Sequence, residues 1–407
     1  MNDFVFRLKH LPNFLCAPFF FCAFVLLIIN ALTLFSAEGF DTLYSAVSDG
    51  VTALFACCSA SFVTLNICKN SKKAIAAGFC TFFFDLVLFS LTEVHISFVL
   101  GVILAMLFSY VFSKSSLVSA FVICTLISLV TALILGLPYE ALFSLLKKLC
   151  AVLKGRGALF GAVNNAYSLL LSNNLAELFF HNDYSGTAYS GGRIVSGVLD
   201  IFEAQGVAGT NASRYLSGKY FINIFVSSGL FAIIYPRLER KEKEALALCF
   251  VLSVLFGDIR LFALFVLIYN PLMYLGFLLL CSLSYFSAYL LDIKLVFFRE
   301  GSLIELIKYR DKLLYFFLAG IVILSVSYFF ERIIISRFDF HSRRVLPYDV
   351  KKIISALGGE ENIERINDNS VQLKNSNLID ILKLDCEIKG NTAILDCNDL
   401  NSLRKYY

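Results

Sequence analysis

The chain has 407 residues, of which 58% are hydrophobic and only 16% are charged, with a formal net charge of +4. Soluble domains carry about 25% charged residues, so a soluble protein could not hide this much apolar surface, whereas a bilayer leaves nothing to hide. A charge of +4 is too small and scattered to argue for a nucleic-acid partner. It reads instead as an orientation signal, since Lys and Arg favour the cytoplasmic side of a membrane.

Arg7 and Lys9 precede the first apolar run, and Arg337, Arg343 and Arg344 follow the last, which predicts that both termini are cytoplasmic. The run 11–35 is too long for a removed signal peptide and lacks a small-residue cleavage site after it, so it reads as the first membrane helix. A span needs about 20 apolar residues. Runs of that kind lie near 13–35, 46–68, 74–92, 95–113, 116–136, 157–180, 219–235, 261–292 and 312–336. Counting half-helices, they predict an all-α polytopic domain of about ten transmembrane helices plus re-entrant segments. The run 261–292 is long for one span and is either two pieces or strongly tilted. Trp is absent, leaving the 19 Tyr for the interfacial belts.

Between these runs, "PYEALFSLLKKLCAVLKGRG" has apolar residues every three or four positions and lysines on the other face. It reads either as a helix lying along the membrane surface or as a cytosolic connector helix. The next segment, "HNDYSGTAYSGGRIVSGVLDIFEAQGVAGTNASRYLSGK", is rich in Gly, Ser, Thr and Asn. Irregular backbone at membrane depth is tolerated where it lines a cavity. This segment and its flanking helices are therefore the expected ligand site, the plain alternative being an external loop. "PRLERKEKE" reads as a solvated loop without chemistry.

Most of the 12 cysteines lie in apolar runs, where Cys behaves as a small hydrophobe, and no Cys-x-x-Cys occurs. Cys386 and Cys397 stand in the polar tail with no His nearby, so neither a metal site nor a cofactor is expected.

The domain boundaries read as a membrane domain at 1–337, a polar linker at 338–348 and a small α/β unit at 349–407. In the last, "VKKIISALGG" is a helix ending at glycines, "SVQLKN" and "TAILDC" are strands, and "KGN" is a turn.

The tail motif Leu357-Gly358-Gly359 with Asn362-Ile363, followed by a strand around Leu373, resembles the IIB domain of the glucose and N-acetylglucosamine class of the bacterial phosphotransferase system. Upstream, "GAVNNAYSLLLSNNLAEL", "RYLSGKYFINIFVSSGLFAIIY" and "LFGDIRLFALFVLIYNPLMYLG" are similar, in the same order, to three blocks of the IIC sugar permease domain. The resemblance implies a IIC-like domain fused to a IIB-like tail, a homodimer in the cell inner membrane, and a sugar-like ligand. It further implies phosphocarrier proteins of that system as partners.

The functional positions depart from the pattern. Asn369 stands at the place of the family's phospho-acceptor cysteine, with Gln372 and Lys374 near its two arginines. A carboxamide is not a phosphoryl acceptor, so no catalytic residue is expected in the tail. In the IIC blocks, Ala176 and Glu177 replace two histidines, and Arg260 and Ala263 replace two glutamates. Glu177, Asp258 and Arg260 are ionisable groups in or beside apolar runs and must be paired or line water. With Asn174 and His181 they form the expected substrate-binding set. Glu177 and Arg260 either line a rebuilt polar cavity or pair with each other, or Arg260 snorkels to a wet rim.

The reading is a phosphotransferase-type permease that binds and moves a sugar-like solute without phosphorylating it through its own tail. The alternatives are a phosphorylating permease served by a separate IIB protein, and a sensor or scaffold that transports nothing.

Overall fold

The structure is a computed structural model that describes residues 2–35, 40–92, 94–136, 157–171, 187–190, 192–205, 216–293, 295, 301–307, 313–338, 353–359, 362–366, 370–375 and 386–395. The chain forms two compact units, Met1–Phe340 and His341–Tyr407.

The first unit opens with five helices: α1 (Asn2–Phe35), α2 (Phe40–Cys68), α3 (Ser71–Thr92), α4 (Phe98–Lys114) and α5 (Leu117–Gly136). The packing of α5 inverts the rule for water-soluble helices. On α5 the buried residues are Ala120, Cys124, Ser128 and Ala132, one small residue per turn. Phe121, Val122, Leu126, Val130 and Ile134 point outward and are exposed. Large apolar groups cost nothing against lipid, and small ones let backbones approach. The stripe lies on α3, where the Ser128 hydroxyl donates to the Cys80 carbonyl at 3.1 Å. Likewise Gly101 on α4 meets α2 so closely that a Cβ there would stand 2.7 Å from the Ala56 Cβ.

Next come α6 (Gly157–Leu171), a hairpin of β1 (Thr187–Ser190) and β2 (Arg193–Ser196), and α7 (Val198–Gln205). The stretch 181–219, expected to be irregular, thus contains regular structure. Gly192, with φ of +80°, supplies the left-handed turn residue of the hairpin.

The long helix α8 (Gly218–Arg237) is π-helical over Ile222–Val226 and tightens to a 3₁₀ turn at Tyr235–Arg237. Helix α9 begins at Arg240, so the charged stretch at 236–244 is mostly helix rather than loop. Glu239 and Glu242 form a capping box, in which the Glu239 amide donates to the Glu242 carboxylate at 3.0 Å. Helix α9 ends in a second π-helical segment, Leu252–Phe256. The run 261–292 is two pieces, α10 (Arg260–Tyr269) and α11 (Pro271–Leu290), divided where the Asn270 side chain caps α11 before the helix-starting proline. A short turn α12 (Leu303–Leu306) and the long α13 (Leu313–Arg337) complete the unit.

Among the described residues, seven helices are long and apolar enough to cross a membrane: the apolar parts of α1, α2, α3, α5, α8, α11 and α13. This is consistent with a polytopic α-helical membrane protein. Among the described residues, α4 and α10 fall short of a span, with only 17 and 10 residues. At 1.5 Å per residue, 17 residues reach about 25 Å, short of a hydrocarbon core of about 30 Å. The two halves of the unit meet at an aromatic cluster. Phe19 of α1 packs edge-on against Phe55 of α2 at 5.1 Å and Phe265 of α10 at 5.4 Å, and Phe55 against Phe98 of α4 at 5.3 Å.

In the second unit, helical backbone over 353–356 ends at Gly358 (φ +89°) and Gly359 (φ +96°). The Gly359 amide donates to the Ile354 carbonyl at 2.9 Å and the Gly358 amide to that of Ser355 at 3.3 Å, the two bonds of a Schellman cap. Four short antiparallel strands follow, β3 (Ile363–Ile366), β4 (Val371–Leu373), β5 (Cys386–Lys389) and β6 (Thr392–Leu395), ordered β3-β4-β6-β5. Strands β4 and β6 and the turn at Gly390 match the sequence reading, while β3 and β5 are additional.

Candidate functional site: a buried ion pair at a broken helix

Helix α9 stops inside the first unit because Gly257 takes a left-handed conformation, φ +84°. An L-side chain there costs about 1–2 kcal/mol, so glycine is what allows the chain to turn without strain. Asp258 and Ile259 follow, and α10 restarts at Arg260.

Asp258 is 1% exposed. A carboxylate so deep requires donors, and Arg260 supplies three. Its Nη2 lies 2.8 Å from Oδ2, its Nε 3.0 Å from Oδ1, and its backbone amide 3.1 Å from Oδ1. The first two form the bidentate fork that suits a guanidinium to a carboxylate. The third sets the carboxylate at the N-terminus of α10, where the helix dipole favours negative charge. The guanidinium also stands over the Phe98 ring, 5.8 Å from its centre, tying the pair to the aromatic cluster. Burial alone would raise the Asp258 carboxyl. The charge and hydrogen bonds of Arg260, with the charge of Lys219, outweigh burial and hold it below its usual range.

The surroundings are polar. The two π-helical segments touch through Ser253, whose hydroxyl donates to the Asn223 carbonyl at 3.3 Å. The Asn223 side-chain amide donates to the Gly301 carbonyl at 2.9 Å. π-Helical turns inside helices occur often at functional sites. On α6, the Asn164 side chain is 0% exposed and, among the described residues, neither its amide nitrogen nor its oxygen has a hydrogen-bond partner.

Of the residues singled out in the sequence, Asp258 and Arg260 come together directly, so Arg260 has a carboxylate partner two residues away. Glu177, His181 and Asn174 lie outside the described residues, as does Asn369 in the tail. Most of the amphipathic stretch at 138–157 also lies outside them.

The sequence reading passed over buried Lys219, Asn223, Ser253 and Glu331. The available signal was an ionisable or amide side chain inside an otherwise apolar run, which by itself marks a functional candidate in a membrane domain. The tail's motif residues prove to be fold-making. Asn362 is 4% exposed; its side-chain amide donates to the carbonyls of Leu357 (2.7 Å) and Asn375 (2.9 Å) and its side-chain oxygen accepts from the Asn375 amide (2.9 Å). It thereby staples the helix cap to the end of β4. Among the described residues no three His, Cys, Asp or Glu side chains gather as a metal site. No family model matches the chain, and no curated protein is similar to it.

Proposed function

We propose that the protein is a permease of the phosphotransferase type that binds and translocates a sugar-like solute across the cell inner membrane, both termini facing the cytoplasm. Its own tail does not phosphorylate that solute. One observation carries the transport reading: a helix broken at Gly257 inside an apolar helical unit, with a buried Asp258–Arg260 pair at the break. Transporters use interrupted helices because the freed backbone groups and the half-helix terminus bind polar solutes at depth. Asp258 and Arg260 offer an acceptor and a donor for hydroxyl groups, and Glu177, Asn174 and His181 complete the proposed set. The choice of a sugar-like solute rests on the order of the sequence blocks that resemble the IIC domain.

Uptake into proteoliposomes tests this reading. Purified protein is reconstituted and offered labelled glucose or N-acetylglucosamine, with and without phosphoenolpyruvate and the general phosphotransferase proteins. The expected result is uptake to equilibrium of the unmodified sugar, independent of phosphoenolpyruvate and lost in Asp258→Asn/Arg260→Met. Sugar phosphate that appears only with phosphoenolpyruvate and an added IIB protein would favour the phosphorylating alternative. Binding without uptake would favour the sensor.

A further inference from the structure

Glu331 lies in the last third of the apolar helix α13 and is 0% exposed. Among the described residues, neither of its carboxyl oxygens has a hydrogen-bond partner. It is seated against α11 at Gly276, where an added methyl group would stand 2.5 Å from Glu331 Oε1 and 2.7 Å from Ile334 Cδ1. Glycine is the residue that leaves room for this carboxyl between the two helices. Their contact is pinned further along, where the Asn270 side chain at the start of α11 donates to the Phe338 carbonyl just past α13, at 2.7 Å.

The neighbouring titratable groups do not neutralise it. Among the described residues, α8 and α11 are the elements packed most closely on α13. Over Ile222–Ile234, α8 brings no ionisable side chain, and α11 brings Tyr274, Cys281, Tyr285 and Tyr289. Cys281 is close enough to feel the Glu331 charge, and it also feels Lys219 of α8. On α13 itself, Arg332 is exposed and lies over the Tyr328 ring at 5.9 Å, on the outer side of the helix. Arg337 is exposed at its end.

Among the described residues an ionised carboxylate in such a place has neither counter-ion nor donor, and the cost of that is far larger than the cost of taking up a proton. We propose that Glu331 is a proton-binding site of the membrane unit, holding a proton while α11 and α13 are packed and releasing it to water when they part. The ligand is the proton itself. Any movement that opens this contact and closes it on the other side carries one proton with it, whatever the solute. The proposal does not depend on the sugar reading.

A hydrophobic carbodiimide tests the proposal on the full-length protein in detergent micelles. The reagent adds across a protonated carboxyl in apolar surroundings and leaves a stable acylurea, read by peptide mass spectrometry. At about pH 7 an ordinary glutamic acid, with a pKa of about 4.3, is ionised and unreactive. The expected result is an adduct on Glu331 at that pH, absent in Glu331→Gln and reduced about tenfold or more by about pH 10. The same two proteins are melted across the pH range. Glu331→Gln mimics the neutral acid and is expected to melt with the wild type at about pH 4 and increasingly above it as pH rises, because the unfolded wild type releases its proton near the ordinary value of about 4.3 while the packed carboxyl keeps it. An unlabelled Glu331 in folded protein that reacts once denatured in acid would overturn the proposal. A Gln variant that melts well below wild type at about pH 7 would overturn it too, since it would mean a paired carboxylate. Protection of Glu331 by excess sodium at constant ionic strength would reassign the site to a metal cation.

Discussion

Asp258 and Arg260 are two residues apart, yet they do not form a surface pair of small value. Asp258 is 1% exposed and the Arg260 side chain 12% exposed, so each charge depends on the other. Replacing Arg260 by Met strands a buried carboxylate, a loss of roughly 3–5 kcal/mol for such pairs. Asp258→Asn strands the guanidinium with a similar penalty. The double variant is expected to be more stable than either single one, because it leaves no uncompensated charge. A thiol-reactive dye is a convenient probe of unfolding, since Cys22, Cys80, Cys124, Cys249 and Cys281 are free and buried in the fold. Additive penalties in the double variant would mean that the two groups work independently. The same pair sets an acid limit. The folded value of Asp258 lies below that of the unfolded chain. Its contribution to stability is therefore present above the unfolded value of about 3.9 and lost as pH falls through the folded value. Wild type is expected to lose melting temperature in that acid window relative to Asp258→Asn/Arg260→Met, and parallel curves would exclude the linkage.

At the scale of elements, close approach of backbones replaces the hydrophobic effect as the source of helix association. Gly101→Leu forces α4 away from α2, where even a Cβ would stand 2.7 Å from Ala56 Cβ. Overpacking of this kind costs roughly 1–3 kcal/mol or more, and a lowered melting temperature with Gly101→Ala intermediate is expected. An unchanged melt in Gly101→Leu would show that the interface tolerates separation. The tail follows soluble rules instead. Asn362→Ala removes two donated bonds and one accepted bond at a buried side chain, a loss of roughly 1–3 kcal/mol for the second unit. Hydrogen exchange of the amides of β3 and β4 in the full chain measures it, faster exchange being expected there and not in α1–α5.

At the scale of the whole molecule, the two compact units are expected to have separate duties. Asn369 stands where the resemblance calls for a thiol, and a carboxamide offers no nucleophile at neutral pH. Incubation with phosphoenolpyruvate and the general phosphotransferase proteins is expected to leave His341–Tyr407 without phosphoryl groups. A phosphorylated Cys386 or Cys397 would restore a catalytic role to the tail. Asn369→Cys alone is expected to restore little, because Gln372 and Lys374 cannot grip phosphate as a pair of arginines does.

The sequence by itself determined where the apolar helices run, that the run 261–292 must be divided or tilted, and how the tail's helix ends at Gly358 and Gly359. These are properties of local composition and of backbone preference, and they survive whatever the helices pack against. The sequence also named Asp258 and Arg260 as charges in need of company. It could not choose the partner, because that depended on Gly257 breaking the helix and turning the two side chains together. Strand β3 escaped it because a register shift between Ile363 and Arg365 spoils the alternation that marks a strand. Glu331 escaped it for another reason. A helix apolar on every side carries no period that tells which face meets protein and which meets lipid. Only packing decided that this carboxyl faces Gly276, since van der Waals fit between small residues, invisible to hydropathy, sets the rotation of a helix in a bundle.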